Sequence, residues 1–252
     1  MLSHNSELLL GGLLQQAVKL LQQDSSRLVC QDLCNLCWAV AVLDMQGHFS
    51  EVLQLSCSAA AASRVWGSAV PEDLWQLFQV HLWLLDSNPA AAEGATGAGL
   101  LQVLSEQQLD ECCRAWQGQV GGRAGQAPSL LQQQVFAGLQ QLPGWQVPPK
   151  QEVVTADGNF SIDIAAVTAA GVRLAVEADG PHHFVSVEVD GPNHFVSPDN
   201  RRPTQYRNRA LAARGYTVIS ISYWEWAKQK GGEARLAYLQ RKLQGKTVDD
   251  SS

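Results

Sequence analysis

Val-Glu-Ala-Asp-Gly-Pro-His-His-Phe-Val-Ser at 176–186 runs directly into Val-Glu-Val-Asp-Gly-Pro-Asn-His-Phe-Val-Ser at 187–197, and nine of the eleven paired positions are identical. This is a tandem duplication. Each copy reads as a short apolar strand ending in Glu-x-Asp-Gly-Pro-x-His. Two carboxylates and an imidazole thereby reach the carboxyl end of a strand, a usual place for a site in an α/β sheet. Just upstream, Phe160, Ile162 and Ile164 alternate with Ser161, Asp163 and Ala165, the period of a strand. Ala170-Gly171 supplies a turn, and Val172, Leu174 and Val176 continue as a second strand, which predicts a hairpin.

Downstream, 201–214 reads as a basic helix ended by Gly215, and Val218, Ile219 and Ile221 mark a third strand over 216–221. Tyr223-Trp224-Glu225-Trp226 follows, then a closing helix over 233–243 with Leu236, Leu239 and Leu243 on one face. Everything before residue 150 has helical spacing instead. Helices are predicted over 8–23, 26–45 (ended by Gly47), 49–65, 71–85 with Pro71 in the first turn, 105–117, and 129–142 behind a Ser129 cap. The first four suggest two helical hairpins stacked as in a solenoid. Ser87–Gly99 is Ala/Gly-rich and reads as a flexible insertion, 118–128 as a second loose stretch, and Pro148-Pro149 as a domain boundary.

The fold class is therefore α+β, an all-α helical-repeat-like region followed by a small α/β domain. The expected segments are a helical region over 1–86, an insertion over 87–99, a connector over 100–145, the α/β domain over 150–246 and a tail over 247–252. Charge separates the halves. Residues 1–149 hold 5 Lys/Arg against 12 Asp/Glu, whereas 150–246 hold 13 against 10. Only the second half favours a polyanion. The 6 cysteines (30, 34, 37, 57, 112, 113) all lie in apolar helical surroundings, so a reducing compartment is expected. No apolar run is long enough for a membrane span, and neither a signal peptide nor an Arg-rich transit peptide is visible. The chain opens almost directly into a helix, as a piece of a longer protein would.

Four groups of residues are candidates for chemistry. Asp163, Glu177, Asp179 and His183 form the first. In a hairpin Asp163 and Glu177 are neighbours, and Asp179 faces the same way as Glu177. Three converging carboxylates would hold a hard divalent cation such as Mg²⁺ and activate water against a phosphodiester. The spacing resembles the Asp…Glu-x-Lys core of the PD-(D/E)xK nucleases, but Asp179 stands where the lysine belongs. The plainer reading is a structured Asp-Gly-Pro turn whose carboxylates take backbone or Arg hydrogen bonds.

Arg201, Arg202, Arg207, Arg209 and Arg214, with Tyr206 among them, form the second group. Arginine forks suit phosphate, a helix start favours it further, and Tyr206 or His182 would stack on an unpaired base. The competing reading is a solvated basic helix pairing with Asp179 or Asp190. The third group, Tyr223–Trp226, reads as packing before it reads as a ligand platform. The fourth, Cys30, Cys34 and Cys37, shares a helical face, but no nearby His or fourth Cys completes a tetrahedral metal site, and burial is the plainer reading.

Phe160-Ser-Ile-Asp-Ile-Ala, Val176-Glu-Ala-Asp-Gly-Pro-His-His-Phe, Arg201-Arg202-Pro203-Thr204, Arg209-Ala-Leu-Ala-Ala-Arg-Gly-Tyr and Ile221-Ser-Tyr-Trp-Glu-Trp together resemble the RAP domain, over about 153–243. That domain closes the FAST-kinase-like proteins and many octotricopeptide-repeat proteins. Gln31-Asp-Leu-Cys-Asn-Leu-Cys-Trp-Ala-Val-Ala-Val-Leu resembles the Trp-Ala phrase of an octotricopeptide-type repeat. Leu74-Trp-Gln-Leu-Phe-Gln-Val-His-Leu-Trp-Leu is similar to the helix that often precedes the domain.

The resemblance implies an RNA-binding protein of mitochondria or chloroplasts, acting in processing, stability or translation of transcripts; no cofactor is expected, and Mg²⁺ only for the nuclease alternative. It also implies a fold related to the PD-(D/E)xK nucleases. A binding protein is expected in preference to an enzyme. A metal-dependent endoribonuclease is the alternative, and a protein-interaction module docking a partner through residues 1–145 the second alternative. Copy one keeps the spacing to the hairpin before it and copy two the spacing to Arg201 after it. Copy one is expected in the sheet.

Overall fold

The computed structural model describes residues 2–23, 30–61, 70–88, 98–124, 127–180 and 202–247, and in it the chain forms two compact units, Met1–Gln119 and Val120–Ser252.

The first unit is built from helices: α1 (Leu2–Gln23), α2 (Cys30–Leu43), α3 (Phe49–Ala61), α4 (Pro71–Ser87) and α5 (Glu106–Ala124), the last running across the division. Its core is the apolar face of α2, with Leu33, Cys34, Cys37, Val40 and Ala41 buried together with Val52 and Leu55 of α3 and Leu77 and Val80 of α4. Side-chain bonds tie the same helices together, Trp38 Nε1 donating to Gln79 Oε1 at 3.2 Å and Trp83 Nε1 to Asp44 Oδ1 at 2.8 Å. Helix α2 stops at Leu43, before the expected Gly47. Asp44 takes the left-handed conformation (φ 58°) there, a role that a short polar side chain tolerates. Helix α5 runs on through Gly118, Gly121 and Gly122, which read as loose in the sequence, because Trp116 and Val120 are buried on its inner face. The Ala/Gly-rich 89–97 lies outside the described residues.

Gly99 follows with φ 60°, and its α-carbon faces His81, whose Nδ1 accepts from Leu100 N at 3.1 Å. A β-carbon at 99 would stand 2.5 Å from that same Nδ1. Gly99→Ala is therefore expected to cost about 2 kcal/mol or more, from left-handed strain and the lost hydrogen bond together. Urea denaturation checks it, and an unchanged midpoint would refute the contact.

The second unit carries α6 (Leu130–Gln140), β1 (Trp145–Val154), β2 (Ser161–Thr168), β3 (Arg173–Asp179), α7 (Arg202–Ala213), β4 (Thr217–Ser222), α8 (Tyr223–Lys228) and α9 (Gly232–Thr247). Ser129 caps α6 as read, its hydroxyl accepting from Gln132 N at 3.1 Å. The four strands lie in the order β1-β2-β3-β4, antiparallel except for the parallel pair β3 and β4. Pro148-Pro149, expected at a boundary, lies inside β1. This is possible because β1 is an edge strand whose ladder shifts register between Val147 and Lys150.

One face of the sheet is apolar. Ile164, Leu174, Val176, Ala178, Ile219 and Ile221 pack there with Leu131, Val135 and Leu139 of α6, Trp226 of α8, and Tyr238 and Leu239 of α9. The other face carries Ser161, Asp163, Glu177 and Ser220, and α7 lies over it, with Tyr206, Ala210 and Leu211 buried. The carboxyl half of β3, residues 176–179, comes from copy one of the duplication. Copy two lies outside the described residues.

Candidate nucleic-acid interface

Helix α7 runs antiparallel to β3. Midway along it Arg207 reaches Glu177, close to the carboxyl end of β3. At its finish the Arg214 carbonyl accepts from Arg173, the first residue of β3, at 2.6 Å. The start of α7 therefore lies toward the carboxyl ends of β3 and β4, where Asp179 is in register with Ser222. Continuing the β2–β3 register one step past Ile164↔Val176 sets Asp163 opposite Glu177.

Glu177 is only 5% exposed, and its Oε2 takes Arg207 Nη2 at 2.7 Å. Arg207 donates to the Ser161 carbonyl as well. Burial pushes the Glu177 carboxyl up to about 7, against the pull of the guanidinium and helped by the nearby Asp163 and Asp179 charges. Burial works the other way on Arg207, but the three carboxylates outweigh it and hold its pKa above the ordinary arginine value. Asp163 turns back into the sheet, Oδ2 accepting from Ala178 N at 2.8 Å.

This arrangement does not fit a divalent cation held by Asp163, Glu177 and Asp179. Such an ion needs open carboxylate oxygens converging on one point. Here a guanidinium pairs with Oε2 of Glu177, the most buried of the three acids, while its Oε1 is buried without a hydrogen-bond partner among the described residues. Among the described residues, the oxygens of this trio do not come to ligand spacing. His183 and His182 lie outside the described residues, as does Arg201; Arg202 opens α7, with its side chain not described.

Arg214 and Tyr206 are likewise turned toward the protein. Arg214 pairs with Asp157 (Nε to Oδ2, 2.5 Å) and lies over the Phe160 ring at 4.6 Å. Burial raises the Asp157 pKa, but hydrogen bonds from Thr155 and Arg214 outweigh it, so that carboxyl sits below its usual range. Tyr206 is buried at 5% exposure, so it is not placed to stack on a base, and Arg209 is half-buried with an interaction of its own. Among the described residues, Arg207 and Arg214 are therefore held by acids of the sheet unit and are not part of an open stripe.

The open surface is the aromatic pair that the sequence reading treated as packing. Ser222 caps α8, its hydroxyl accepting from Glu225 N at 3.2 Å, and so sets the phase of the helix. Positions two apart on a helix face nearly opposite ways. Trp226 turns inward, 3% exposed, and donates from Nε1 to Gln134 Oε1 at 2.9 Å. Trp224 turns outward at 54% exposure, with Tyr223 beside it edge-on, ring centroids 5.3 Å apart. Glu225 is drawn away from this surface by Tyr238 (2.8 Å) and Lys242 (2.9 Å), while Lys228 and Lys230 are exposed just beyond. Ser222-x-x-Glu225 is a capping signature, and reading it would have separated Trp224 from Trp226 in advance.

Chemically, an exposed indole and phenol beside lysines and a helix start suit a stacked base with its phosphate. In comparison with protein families, residues 187–242 fit the family model of the RAP domain. The matched segment begins at the first residue of copy two, whereas the carboxyl half of β3, residues 176–179, comes from copy one.

Proposed function

We propose that the chain, whose residues 187–242 match the RAP domain, a domain read at the family level as RNA-binding, binds single-stranded RNA at the carboxyl edge of β3 and β4. Trp224 and Tyr223 stack on unpaired bases. Arg202, which opens α7, and its sequence neighbour Arg201 take phosphate together with the helix amides, and Lys228 and Lys230 extend the positive surface. Arg207, Arg214 and Tyr206 serve the fold, fixing α7 on the sheet so that its start stays at this edge. The observation that carries the reading is the exposed aromatic pair, inside the matched segment, at the edge where α7 begins.

The resemblance to FAST-kinase-like and octotricopeptide-repeat proteins extends the proposal to transcripts of a mitochondrion or chloroplast. The helical unit then acts as the remnant of a repeat array, or as a dock for a protein partner through residues 1–145. No described helix is long and apolar enough to cross a membrane. A nuclease related to the PD-(D/E)xK enzymes draws support from the placement of Asp163 and Glu177 on neighbouring strands. The Arg207 pairing weighs against it.

Anisotropy of a labelled single-stranded RNA over a salt series, with and without magnesium, tests the proposal. Binding should weaken with salt, with a log–log slope of roughly −0.7 per phosphate contacted, and the RNA should stay intact. Magnesium-dependent shortening that Asp163→Asn abolishes would make the chain a nuclease. Absence of binding at low salt would refute both readings and point to a protein partner.

A further inference from the structure

Helix α2 places Cys30 and Cys34 one turn apart, and their Sγ atoms stand 3.7 Å from each other. The start of α4 brings Asp73 against them, so that one carboxylate oxygen and the two sulfurs all lie within 4.8 Å of one another. Asp73 is 5% exposed and Cys34 fully buried. Asp73 Oδ1 is buried without a hydrogen-bond partner among the described residues. A buried carboxylate oxygen left in this state is costly unless a cation meets it.

The sulfur spacing has a specific meaning. Two thiolates bound about 2.3 Å from a tetrahedral zinc stand roughly 3.8 Å apart, close to the separation seen here. A disulfide would need about 2.05 Å between the same atoms. Cys37, which shares the helical face in sequence, is not part of the set. Its thiol donates to the Val52 carbonyl at 3.7 Å and accepts from Ser56 at 3.6 Å.

We propose that Cys30, Cys34 and Asp73 form a site for a borderline-soft divalent ion of the zinc class, bracing α2 against α4, with a fourth position for water or a further thiol. Two thiolates select against magnesium and calcium, and the carboxylate completes a mixed set suited to zinc or cobalt. On binding, each thiol gives its proton to solvent, so that two thiolates and one carboxylate face the dication.

The test uses the full chain, reduced, stripped of metal and titrated with cobalt(II). A sulfur-to-cobalt charge-transfer band and strong visible bands of tetrahedral cobalt should saturate at one ion per chain, and zinc should displace them. Cys30→Ser and Cys34→Ser should remove the charge-transfer band, and Asp73→Asn should weaken binding at least about tenfold. Cys57→Ser, at an exposed cysteine on α3, should change nothing. Asp73→Asn is nearly isosteric, so it decides the matter if a cysteine variant fails to fold by circular dichroism. No thiolate band in the reduced protein would overturn the proposal, as would bands that persist in Cys34→Ser and Asp73→Asn. A Cys30–Cys34 disulfide in the peptide map, formed in preference to metal, would overturn it too.

Discussion

Trp224→Ala should weaken binding of single-stranded RNA between about fivefold and about a hundredfold, the loss of one stacked base at about 1–3 kcal/mol. Its effect on thermal stability should be small, because the ring is 54% exposed and makes its one described ring contact with Tyr223, itself exposed. Trp226→Ala, two residues on, should do the reverse. That side chain is 3% exposed in the apolar core, and truncation should cost about 3–5 kcal/mol of stability. Measured on the folded fraction, its RNA affinity should stay near that of the wild type. The two variants therefore separate a surface role from a core role within one short helix. Anisotropy and calorimetry on the same preparations provide the comparison. Equal affinity of Trp224→Ala and wild type would remove the stacking platform from the proposal.

Arg207→Ala should destabilise the sheet unit by about 3–5 kcal/mol at pH 8, because it strands the Glu177 carboxylate beneath α7. At pH 5 the cost should be smaller, since the carboxyl can take up a proton there. The sign follows from Glu177 itself. Its carboxyl titrates at about 7 in the folded chain against 4.5 ordinarily, mainly because burial disfavours the anion. The folded state thus holds the proton more tightly than the unfolded one. The stability this contributes is fully present below about pH 4.5 and is lost as pH rises through about 7. Glu177→Gln should flatten that stretch of the stability profile. Added to Arg207→Ala, it should recover part of the loss at pH 8. Urea denaturation at the two pH values reads all three variants. A cost for Arg207→Ala that is independent of pH, or below about 1 kcal/mol, would mean that the pair does not anchor the helix.

Much of the sheet unit was legible because its signals are local. The alternation from Phe160 to Ala165, the Ala170-Gly171 turn and the apolar run of β4 each name an element within a few residues. β1 was hidden by Pro148-Pro149, since prolines read as a break and only an edge position tolerates them. The contribution of α6 to the sheet core was hidden because its partners lie far along the chain. Leu131 and Leu139 look like any helical leucines until Ile219 and Leu239 are set against them.

At the site, composition misled. A run of five arginines free of acids reads as a phosphate surface, yet Asp157 and Glu177 draw two of them inward from distant strands. The sequence did place Asp163 beside Glu177. It did not reveal that a guanidinium from α7 would pair with Glu177. The Cys30–Cys34 spacing was visible as well, but Asp73, which turns a pair of thiols into a ligand set, comes from another helix.

Ultraviolet crosslinking of a bound single-stranded RNA, with the attached peptides identified by mass spectrometry, would locate the contact on the chain. Crosslinks should fall on Tyr223 and Trp224 and on the peptide that contains Arg201 and Arg202, and should disappear at high salt. Crosslinks confined to the helical unit, or to the edge strand β1, would place the RNA elsewhere and refute the proposed interface.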